Sequence, residues 1–423
     1  DTENTTIIKN NTETQYTEII KNDTVKNHTE EVKYPEFDII FDEYVKKHNK
    51  IVDELLKPSN ESNVLELPKV IVAKPDMVTG YGNRLVGVVC GFIYSLLTDR
   101  LFFIDGYDHF ESYYVKDFEH NWKVVEHLYQ HSTSRYLHDI NSYNDFPLVV
   151  RGNFSNETTD ILYVHTWDYV CAPITSNPYY KNWFEKIIPD YRVFTAVSLN
   201  LLRVHPDINQ KVETFANNNF NDHVIGIHFR EKKSPHDYLI PLEHYVNVVK
   251  MLLVETSNTN VSLFVAADNN NGLKKLLNSL NETINSNGFN SSVKIFHTED
   301  NLDAHNPVSY NTGSEVGALV DLKLLSICDD LVITYGSSFG FLAAGWSKKA
   351  SRKRGPFIVM PIKNSPEDLT EVDKVWVWGA TSSEPCMYLS KWLMKHEDEE
   401  TVRVFKTNPL WMHFSQCHWP HDY

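Results

Sequence analysis

Two segments in the second half of the sequence combine residue types suited to binding an anion. The run 335–340 (Tyr-Gly-Ser-Ser-Phe-Gly) follows a predicted buried strand and precedes a predicted helix. Its backbone N–H groups and the hydroxyls of Ser337 and Ser338 would therefore lie at a helix N-terminus, where anions bind. Arg230 follows another predicted strand, at the end where parallel sheets bind ligands, and a guanidinium can hold two phosphate oxygens at once. The pattern predicts a pyrophosphate site; the alternatives are an ordinary serine-capped helix and a surface ion pair between Arg230 and Glu231 or another carboxylate.

A glycine-containing turn, Gly-Tyr-Gly-Asn-Arg at positions 80–84, lies between a strand and a helix in the first half. It lacks the third glycine and the downstream acid of a dinucleotide fingerprint, and it lacks the Lys-Ser/Thr ending of a P-loop. Its glycines would permit close approach of a sugar phosphate at Gly82. We expect the side chains of Asn83 and Arg84 to project towards that ligand in a cleft between two domains.

Strands and helices alternate around both of these regions. Phe37 opens a helical pattern that ends near Pro58, and strand, glycine turn, helix and strand follow over 69–105 as a βαβ unit. A second alternation predicts strands at 224–230, 261–268, 293–296 and 331–335, and helices at 241–255, 272–284 and 314–328. Repeated units of this size predict parallel sheets covered by helices on both faces. The fold class is therefore α/β, with two Rossmann-like doubly wound domains that face a cleft.

The expected domains are four consecutive segments. Residues 1–33 are rich in Asn, Thr, Glu and Lys without a sustained period, which is typical of a disordered, glycosylated stalk. An N-terminal domain covers 34–210, a second domain covers 220–385, and a C-terminal segment covers 386–423. We place the boundary between 206 and 222, where the polar run 217–222 is typical of a linker.

Composition excludes several classes of protein. The 423 residues include 40 Lys and Arg against 56 Asp and Glu, and this net charge of −16 disfavours binding to nucleic acid or to anionic membrane surfaces. Hydrophobic residues at 42% exclude wholesale disorder. The apolar stretch 85–97 is shorter than the ~20 residues of a membrane span.

Asn-x-Ser/Thr acceptor sites favour the secretory pathway over the cytosol, although chance in an Asn- and Thr-rich sequence is the alternative for some of the first four. They are Asn4, Asn10, Asn22, Asn27, Asn60, Asn153, Asn156, Asn260, Asn281 and Asn290. The chain starts at Asp1 without a hydrophobic leader, so we expect that any signal or anchor was removed.

The five cysteines have no C-x-x-C spacing and are too few for a disulfide scaffold. Cys90, Cys171 and Cys328 lie in apolar stretches, which predicts buried thiols. In an oxidising compartment, Cys386 and Cys417 are the expected disulfide pair.

Four segments, taken in order, resemble the plant xyloglucan α1,2-fucosyltransferase family. Residues 80–105 resemble the family's N-domain signature, where a Gly-Leu-Gly-Asn-Arg loop leads into a similar helix and strand, and 225–230 resemble its arginine strand. Residues 322–334 and 338–345 resemble its donor-domain signature. The positions of Cys386 and Cys417 also resemble its C-terminal cysteine pattern, which favours that disulfide. The resemblance spans about 75–420, with gaps.

This resemblance implies a GT-B fold and an inverting α1,2-fucosyltransferase that moves fucose from GDP-fucose to a galactose-containing glycan. It implies no required metal or other cofactor, and a type II membrane protein of the Golgi lumen whose anchor is missing here, with secretion as the alternative. The departing GDP gains negative charge in the transition state. Because no Asp-x-Asp stands at a strand end, Arg230 and the turn at Ser337 and Ser338 would stabilise that charge. The alternatives are a noncatalytic glycan-binding protein of the same fold and a GDP-sugar transferase with another donor or linkage.

Residues on the acceptor side follow from the same resemblance. Asp168, in Trp-Asp-Tyr-Val-Cys-Ala-Pro, matches an Asp-x-x-x-x-Pro segment of the family and is predicted to be the general base or to orient the acceptor. The alternative is a structural, turn-capping aspartate. His165 is the substitute base, and His165 and Trp167 are expected to bind the acceptor.

One residue on the donor side has two alternative positions. The family's His-Gln-Pro-Ser-like segment aligns with His305 or with His297, and the proline after His305 favours the former. Asp268, at a strand end, is expected to contact guanine or ribose. Arg230 is expected to be catalytic, and the full set expected to bind the donor is Gly82, Asn83, Arg84, His228, Asp268, His305, Ser337, Ser338, Phe339 and Gly340. The irregular spacing of His413, Cys417, His418 and His421 does not predict a metal site.

Overall fold

The computed structural model describes residues 31–57, 67–77, 79–138, 145–231, 240–256, 259–289, 292–298, 312–349, 355–360 and 377–416. These residues form two compact units. The first unit contains Lys33–Pro206 and the described residues from Pro385 onward, and the second contains Asp207–Glu384. His305, Cys417 and most of the predicted stalk lie outside the described residues.

The first unit is built on a parallel sheet of four strands in the order β2-β1-β4-β3. The strands are β1 (Val70–Ala73), β2 (Leu101–Ile104), β3 (Ser134–Tyr136) and β4 (Ile161–Val164). The helices in this part of the chain are α1 (Pro35–Leu55), α2 (Tyr81–Thr98), α3 (Phe110–Tyr113), α4 (Phe146–Arg151), α5 (Lys181–Ile187) and α6 (Val193–Leu201). Short 3-10 helices occupy Trp122–Val124, Glu126–Tyr129, Phe154–Asn156 and Ala172–Ser176.

In helices α1 and α2, the spacing of apolar residues in the sequence determines which faces of the helix are buried. In α1 the buried residues recur every three or four positions, which places one stripe against the core: Phe37, Phe41, Tyr44, His48 and Val52. In α2 every residue from Leu85 to Ser95 is buried, so this helix is enclosed by protein. No helix in the described parts of the chain combines the length and the apolar character needed to cross a membrane.

The second unit is built on six strands in the order β10-β9-β8-β5-β6-β7. All neighbouring pairs are parallel except β9 and β10. The strands are β5 (His223–Phe229), β6 (Val261–Ala267), β7 (Val293–Phe296), β8 (Asp330–Thr334), β9 (Phe357–Val359) and β10 (Val377–Gly379). The helices are α7 (Pro206–Asn219), α8 (Leu242–Glu255), α9 (Asn270–Ser286), α10 (Thr312–Ile327) and α11 (Ser338–Gly345).

The predicted linker at 217–222 is wrong for its first three residues, which complete α7. Phe215 and Phe220 pack edge-on against Phe264 of β6, with ring centres 5.6 and 5.8 Å away. Their apolar contacts hold this polar run on the second unit, and the contact boundary between the units lies at the first residue of α7, at 206/207.

The C-terminal part of the chain belongs to the first unit rather than forming a segment of its own. It contains α12 (Ser390–His396), α13 (Glu399–Phe405) and α14 (Trp411–Gln416). The buried Asn408 amide donates to the carbonyl of Ala172 at 3.2 Å and to Thr175 Oγ1 at 2.6 Å. Arg151 Nη2 donates to Asp398 at 3.0 Å.

The prediction of thiols at Cys90 and Cys171 is wrong, because these residues form a disulfide with Cα atoms 5.2 Å apart. The bond joins α2 to the segment after β4 across 81 residues of sequence, which in the chain-entropy account is worth about 4 to 5 kcal/mol. Cys328 is a buried thiol outside any disulfide, as predicted, and its Sγ lies 3.2 Å from the carbonyl oxygen of Leu324. Cys386 is disulfide-bonded as well, and Cys417, its predicted partner, lies outside the described residues.

Candidate functional site

The carboxyl edge of the second sheet collects segments that are far apart in sequence. Strands β8, β5 and β6 are neighbours in the sheet, and they are parallel. Arg230 follows β5, Asp268 follows β6, and the turn at Gly336 follows β8. Ligands bind at this edge in sheets of this kind.

Thr334, the last residue of β8, organises this edge with one buried hydroxyl. Thr334 Oγ1 donates to the carbonyl oxygen of His228 at 2.9 Å and accepts from the backbone N–H of Arg230 at 3.0 Å. Tyr245 of α8 lies 2.8 Å away through its hydroxyl. Because the threonine proton is directed at His228, Tyr245 is the donor in that contact. Burial raises the pKa of Tyr245 well above its usual value, so the hydroxyl keeps its proton.

The Arg230 side chain is 40% exposed, with Nε 3.8 Å from Asp268 Oδ2. Asp268 Oδ1 accepts from the backbone N–H of Glu231 at 3.0 Å and from the Asn269 amide at 2.8 Å. The carboxylate that faces Arg230 is thus Asp268, whereas Glu231 pairs with Lys275 at 2.7 Å. These contacts give Asp268 the function of holding the backbone beside Arg230, and its predicted contact with guanine or ribose stays a prediction.

The turn into α11 depends on two glycines. Gly336 has φ +65°, in the left-handed region that favours glycine. At Gly340 a Cβ atom would lie 2.7 Å from Cβ of Ile333, so only glycine lets the first turn of α11 pack this closely on β8. Gly336 therefore sets the direction in which the chain enters the helix, and Gly340 sets how closely the first helical turn packs on β8.

Ser337 caps α11 and is fully buried. Its backbone N–H donates to the carbonyl of Thr334 at 3.2 Å. Its hydroxyl makes no capping bond, and within the described residues it has no hydrogen-bond partner. A buried unsatisfied hydroxyl costs about 1 to 3 kcal/mol. A hydroxyl of this kind beside the N–H groups that begin a helix is the type of group that binds anionic oxygens in proteins, and phosphate binding at this turn stays a prediction.

His228 of β5 and Phe339 of α11 pack against each other beside this turn. His228 is 1% exposed, and its ring stacks on that of Phe339 with centres 5.2 Å apart and an interplanar angle of 28°. Both residues were predicted to bind the donor. Their mutual contact shows packing between β5 and α11 that holds Ser337 and Ser338 in place.

The glycine turn of the first unit differs from its prediction. Helix α2 already starts at Tyr81, so Gly82, Asn83 and Arg84 lie in its first turn. Arg84 is 5% exposed and donates from Nε to the carbonyl of Thr79 and from Nη2 to that of Met77, both at 3.1 Å. Its guanidinium thus binds the carbonyl groups of the preceding loop, and the expected projection of Asn83 and Arg84 towards a ligand in a cleft stays a prediction. Asn83 Oδ1 is buried without a hydrogen-bond partner among the described residues.

Asp168 is 1% exposed, and both of its carboxylate oxygens accept backbone hydrogen bonds. The donors are the N–H groups of Tyr169 at 2.8 Å, Tyr388 at 2.9 Å and Leu389 at 2.9 Å. Burial raises the pKa of Asp168 to about 6, and the three hydrogen bonds oppose that rise. This geometry favours the structural alternative, in which Asp168 ties the segment before α12 to the loop after β4. Catalysis by Asp168 remains a prediction without a supporting contact.

The two predicted acceptor residues lie beside Asp168 and are partly exposed. His165 follows β4 and donates its backbone N–H to the carbonyl of His138 at 3.2 Å. The Trp167 ring stacks on Tyr388 with centres 6.3 Å apart. Both residues thus lie at or just beyond the carboxyl edge of the first sheet.

Three residues near these edges were missed by the sequence analysis. Two of them are Thr334 and Tyr245, whose contacts are described above. The only sequence signal that could have indicated Thr334 was the position of a threonine at the end of an apolar strand. Asp321 of α10 is 2% exposed and accepts from Thr298 Oγ1 at 2.7 Å. Within the described ranges, no three His, Cys, Asp or Glu side chains are grouped to hold a metal ion.

Comparison with solved structures supplies the fold. A point mutant of Arabidopsis thaliana FUT1 in complex with GDP is similar over 85% of this chain and 85% of its own, with 17% identity and a TM-score of 0.57. NodZ alpha-1,6-fucosyltransferase co-crystallized with GDP covers 72% of this chain and 98% of its own, with 14% identity and a TM-score of 0.41. POFUT1 in complex with GDP-fucose covers 68% of this chain and 97% of its own, with 11% identity and a TM-score of 0.39.

No protein-family model matches the sequence, and no curated protein matches it. The likeness to FUT1 confirms the predicted fold class, GT-B with two Rossmann-like α/β units.

Proposed function

We propose that the protein is a GDP-fucose-dependent fucosyltransferase whose second unit binds the donor. The observation that carries this proposal is that Thr334 binds two segments of the candidate site, one through its side chain and one through its backbone. Its side chain holds the backbone of Arg230, and its carbonyl accepts from Ser337. A partly exposed guanidinium and a buried hydroxyl at a helix N-terminus are thereby held at one sheet edge. FUT1, which has this fold, is found in complex with GDP.

Transfer breaks the bond between the sugar anomeric carbon and the β-phosphate oxygen, and the electron pair remains on GDP. The added negative charge is stabilised by Arg230 and by the N–H groups and hydroxyls that begin α11. These groups are fixed before the reaction, so they need no rearrangement as the charge develops. In this scheme protein groups fulfil the function of a divalent ion, and no metal is required.

Inverting α1,2-transfer to a galactose-containing glycan is the finer part of the proposal, and the resemblance of four sequence segments supports it. The acceptor hydroxyl must lose its proton to a base. His165 is the better placed of the two predicted bases, because it is partly exposed at the sheet edge, whereas both oxygens of Asp168 are occupied. Residence in the Golgi lumen is supported by the glycosylation acceptor sites and agrees with the Cys90–Cys171 disulfide.

A direct test measures GDP binding by calorimetry in Arg230→Ala. Losing a charge-assisted contact of about 1.5 to 3 kcal/mol predicts a Kd that is about 10- to 150-fold weaker. Arg403→Ala is the matched control, because Arg403 is an exposed arginine paired with Glu400, and it should leave the Kd unchanged. Equal GDP affinity in wild type and Arg230→Ala would contradict the proposal. A wild-type protein that binds glycan but does not bind GDP would instead be a noncatalytic lectin.

A further inference from the structure

A row of side chains crosses the first sheet near its carboxyl edge. Tyr163 of β4 lies directly opposite Tyr136 of β3 on one side and Val72 of β1 on the other. Side chains in register share a face, and side chains two residues apart along a strand do so as well. Lys74, two residues beyond Val72, is therefore on the same face as the two tyrosines and closer to the edge where ligands bind.

The members of this row are in contact with one another. Lys74 Nζ lies 5.0 Å from the ring centre of Tyr163. The Tyr163 ring lies 5.3 Å from that of Tyr136, at an interplanar angle of 31°. The centre of the His165 ring lies 6.2 Å from that of Tyr136. The Tyr163 ring thus lies between the Lys74 ammonium and the Tyr136 ring, and it limits the movement of Tyr136 by packing against it.

Tyr136 is the exposed end of the row. It is 43% exposed, and its strand lies at the edge of the sheet. A single exposed aromatic side chain is common on protein surfaces and needs no explanation by itself. The difference here is that the exposed ring packs on Tyr163 and that the same row continues to a polar pair, at the edge where ligands bind in sheets of this kind.

The polar pair is Lys74 with Asp105, which follows β2. Their charged atoms are 3.0 Å apart, and the side chains are 33% and 20% exposed. The pair has no net charge, so it offers one donor and one acceptor group rather than attraction for an anion. An exposed ring in one row with a neutral donor and acceptor matches a neutral pyranose, whose C–H face packs on aromatic rings and whose hydroxyls both donate and accept.

We propose that Tyr136, backed by Tyr163, is a stacking platform for a neutral pyranose ring of the acceptor, with Lys74 and Asp105 bonding to its hydroxyls. This inference rests on the proposed function and identifies where the first unit holds its acceptor. It adds four residues to His165 and Trp167, the acceptor residues that the sequence analysis predicted.

The test measures binding of methyl β-D-galactopyranoside to the whole chain by ligand-detected NMR. Tyr136→Ala should weaken the Kd about tenfold, the size expected for losing an aromatic contact, and Tyr136→Phe should stay within twofold of wild type. Tyr179→Ala is the control, because Tyr179 is 60% exposed in the same unit and lies apart from the row; its Kd should not change. Asp105→Asn should weaken binding at least threefold.

Three outcomes would overturn the platform. The first is a wild-type protein that does not bind the galactoside, and the second is equal affinity in wild type and Tyr136→Ala. The third is galactose 6-phosphate binding more tightly than the neutral sugar and losing that affinity in Lys74→Ala, which would identify an anion site. GDP affinity is measured on the same samples. Intact GDP binding with no galactoside binding refutes the platform alone, whereas lost GDP binding refutes the proposed donor function and leaves the sugar measurement valid.

Discussion

Replacing Thr334 by valine tests whether one hydroxyl positions the proposed donor site. Valine has nearly the same shape, but it removes the acceptor for Arg230 N–H and Tyr245 O–H and the donor to the His228 carbonyl. Tyr245 is 0% exposed, so water replaces the bond of its hydroxyl poorly, whereas His228 remains paired with Ile333 of β8. Arg230 is partly exposed, and we count its N–H as satisfied by water.

The unsatisfied Tyr245 hydroxyl costs about 1 to 3 kcal/mol in the free energy of unfolding, and the lost hydrogen bond to the His228 carbonyl costs about 1 kcal/mol more. Thr334→Ser keeps the hydroxyl and loses only a methyl group, so it should cost about 1 kcal/mol. Because Thr334→Val also releases the backbone of Arg230, we expect its GDP affinity to fall at least fivefold, while Thr334→Ser binds GDP like wild type. Denaturant unfolding and calorimetry measure the two effects.

A double-mutant cycle with Tyr245→Phe isolates the shared hydroxyl. The coupling free energy between the two positions should be about 1 kcal/mol, because each single change removes the same hydrogen bond. Strictly additive effects would show that the two hydroxyls do not interact. Equal stability of Thr334→Val and Thr334→Ser, or unchanged GDP affinity in folded Thr334→Val, would refute the argument.

Two further predictions concern the first unit. Burial raises the folded-state pKa of Asp168 from about 4 to about 6, so its stabilising contribution is complete below pH 4 and is lost as pH rises through 6. The unfolding free-energy difference between wild type and Asp168→Asn should therefore shrink by about 2 to 3 kcal/mol from pH 4 to pH 7, and a constant difference would contradict the raised pKa. Replacing Cys90 and Cys171 together by alanine should lower the free energy of unfolding by about 4 kcal/mol under oxidising conditions. An equal loss in fully reduced samples would show that packing, not the crosslink, is responsible.

Local sequence was sufficient to predict the strands β1, β2 and β5 to β8 and their order, but not β3, β4, β9 or β10. Alternating apolar runs identified β5 to β8 and the helices between them, because periodicity depends on neighbours in sequence. The same local patterns placed Arg230 and the serine turn 337–338 directly after strands. Since parallel strands end at one edge, the candidate donor site could be located from these positions alone.

Tertiary structure decided the function of individual side chains. Arg84 turns inward because the carbonyls of Met77 and Thr79 lie beside it, and Asp168 is held by two N–H groups from residues more than 200 positions later. The Cys90–Cys171 disulfide likewise depends on which two segments meet in space.

Contacts between elements that are distant in sequence bring Thr334 to Tyr245 and align the row from Lys74 to Tyr136. The sequence alone did not identify these groupings. The sequence thus determines which elements form and where the sheet edges present ligand-binding residues. Only the folded chain determines which polar groups are already satisfied by protein and which are left for a ligand, because hydrogen bonds and burial depend on non-local neighbours.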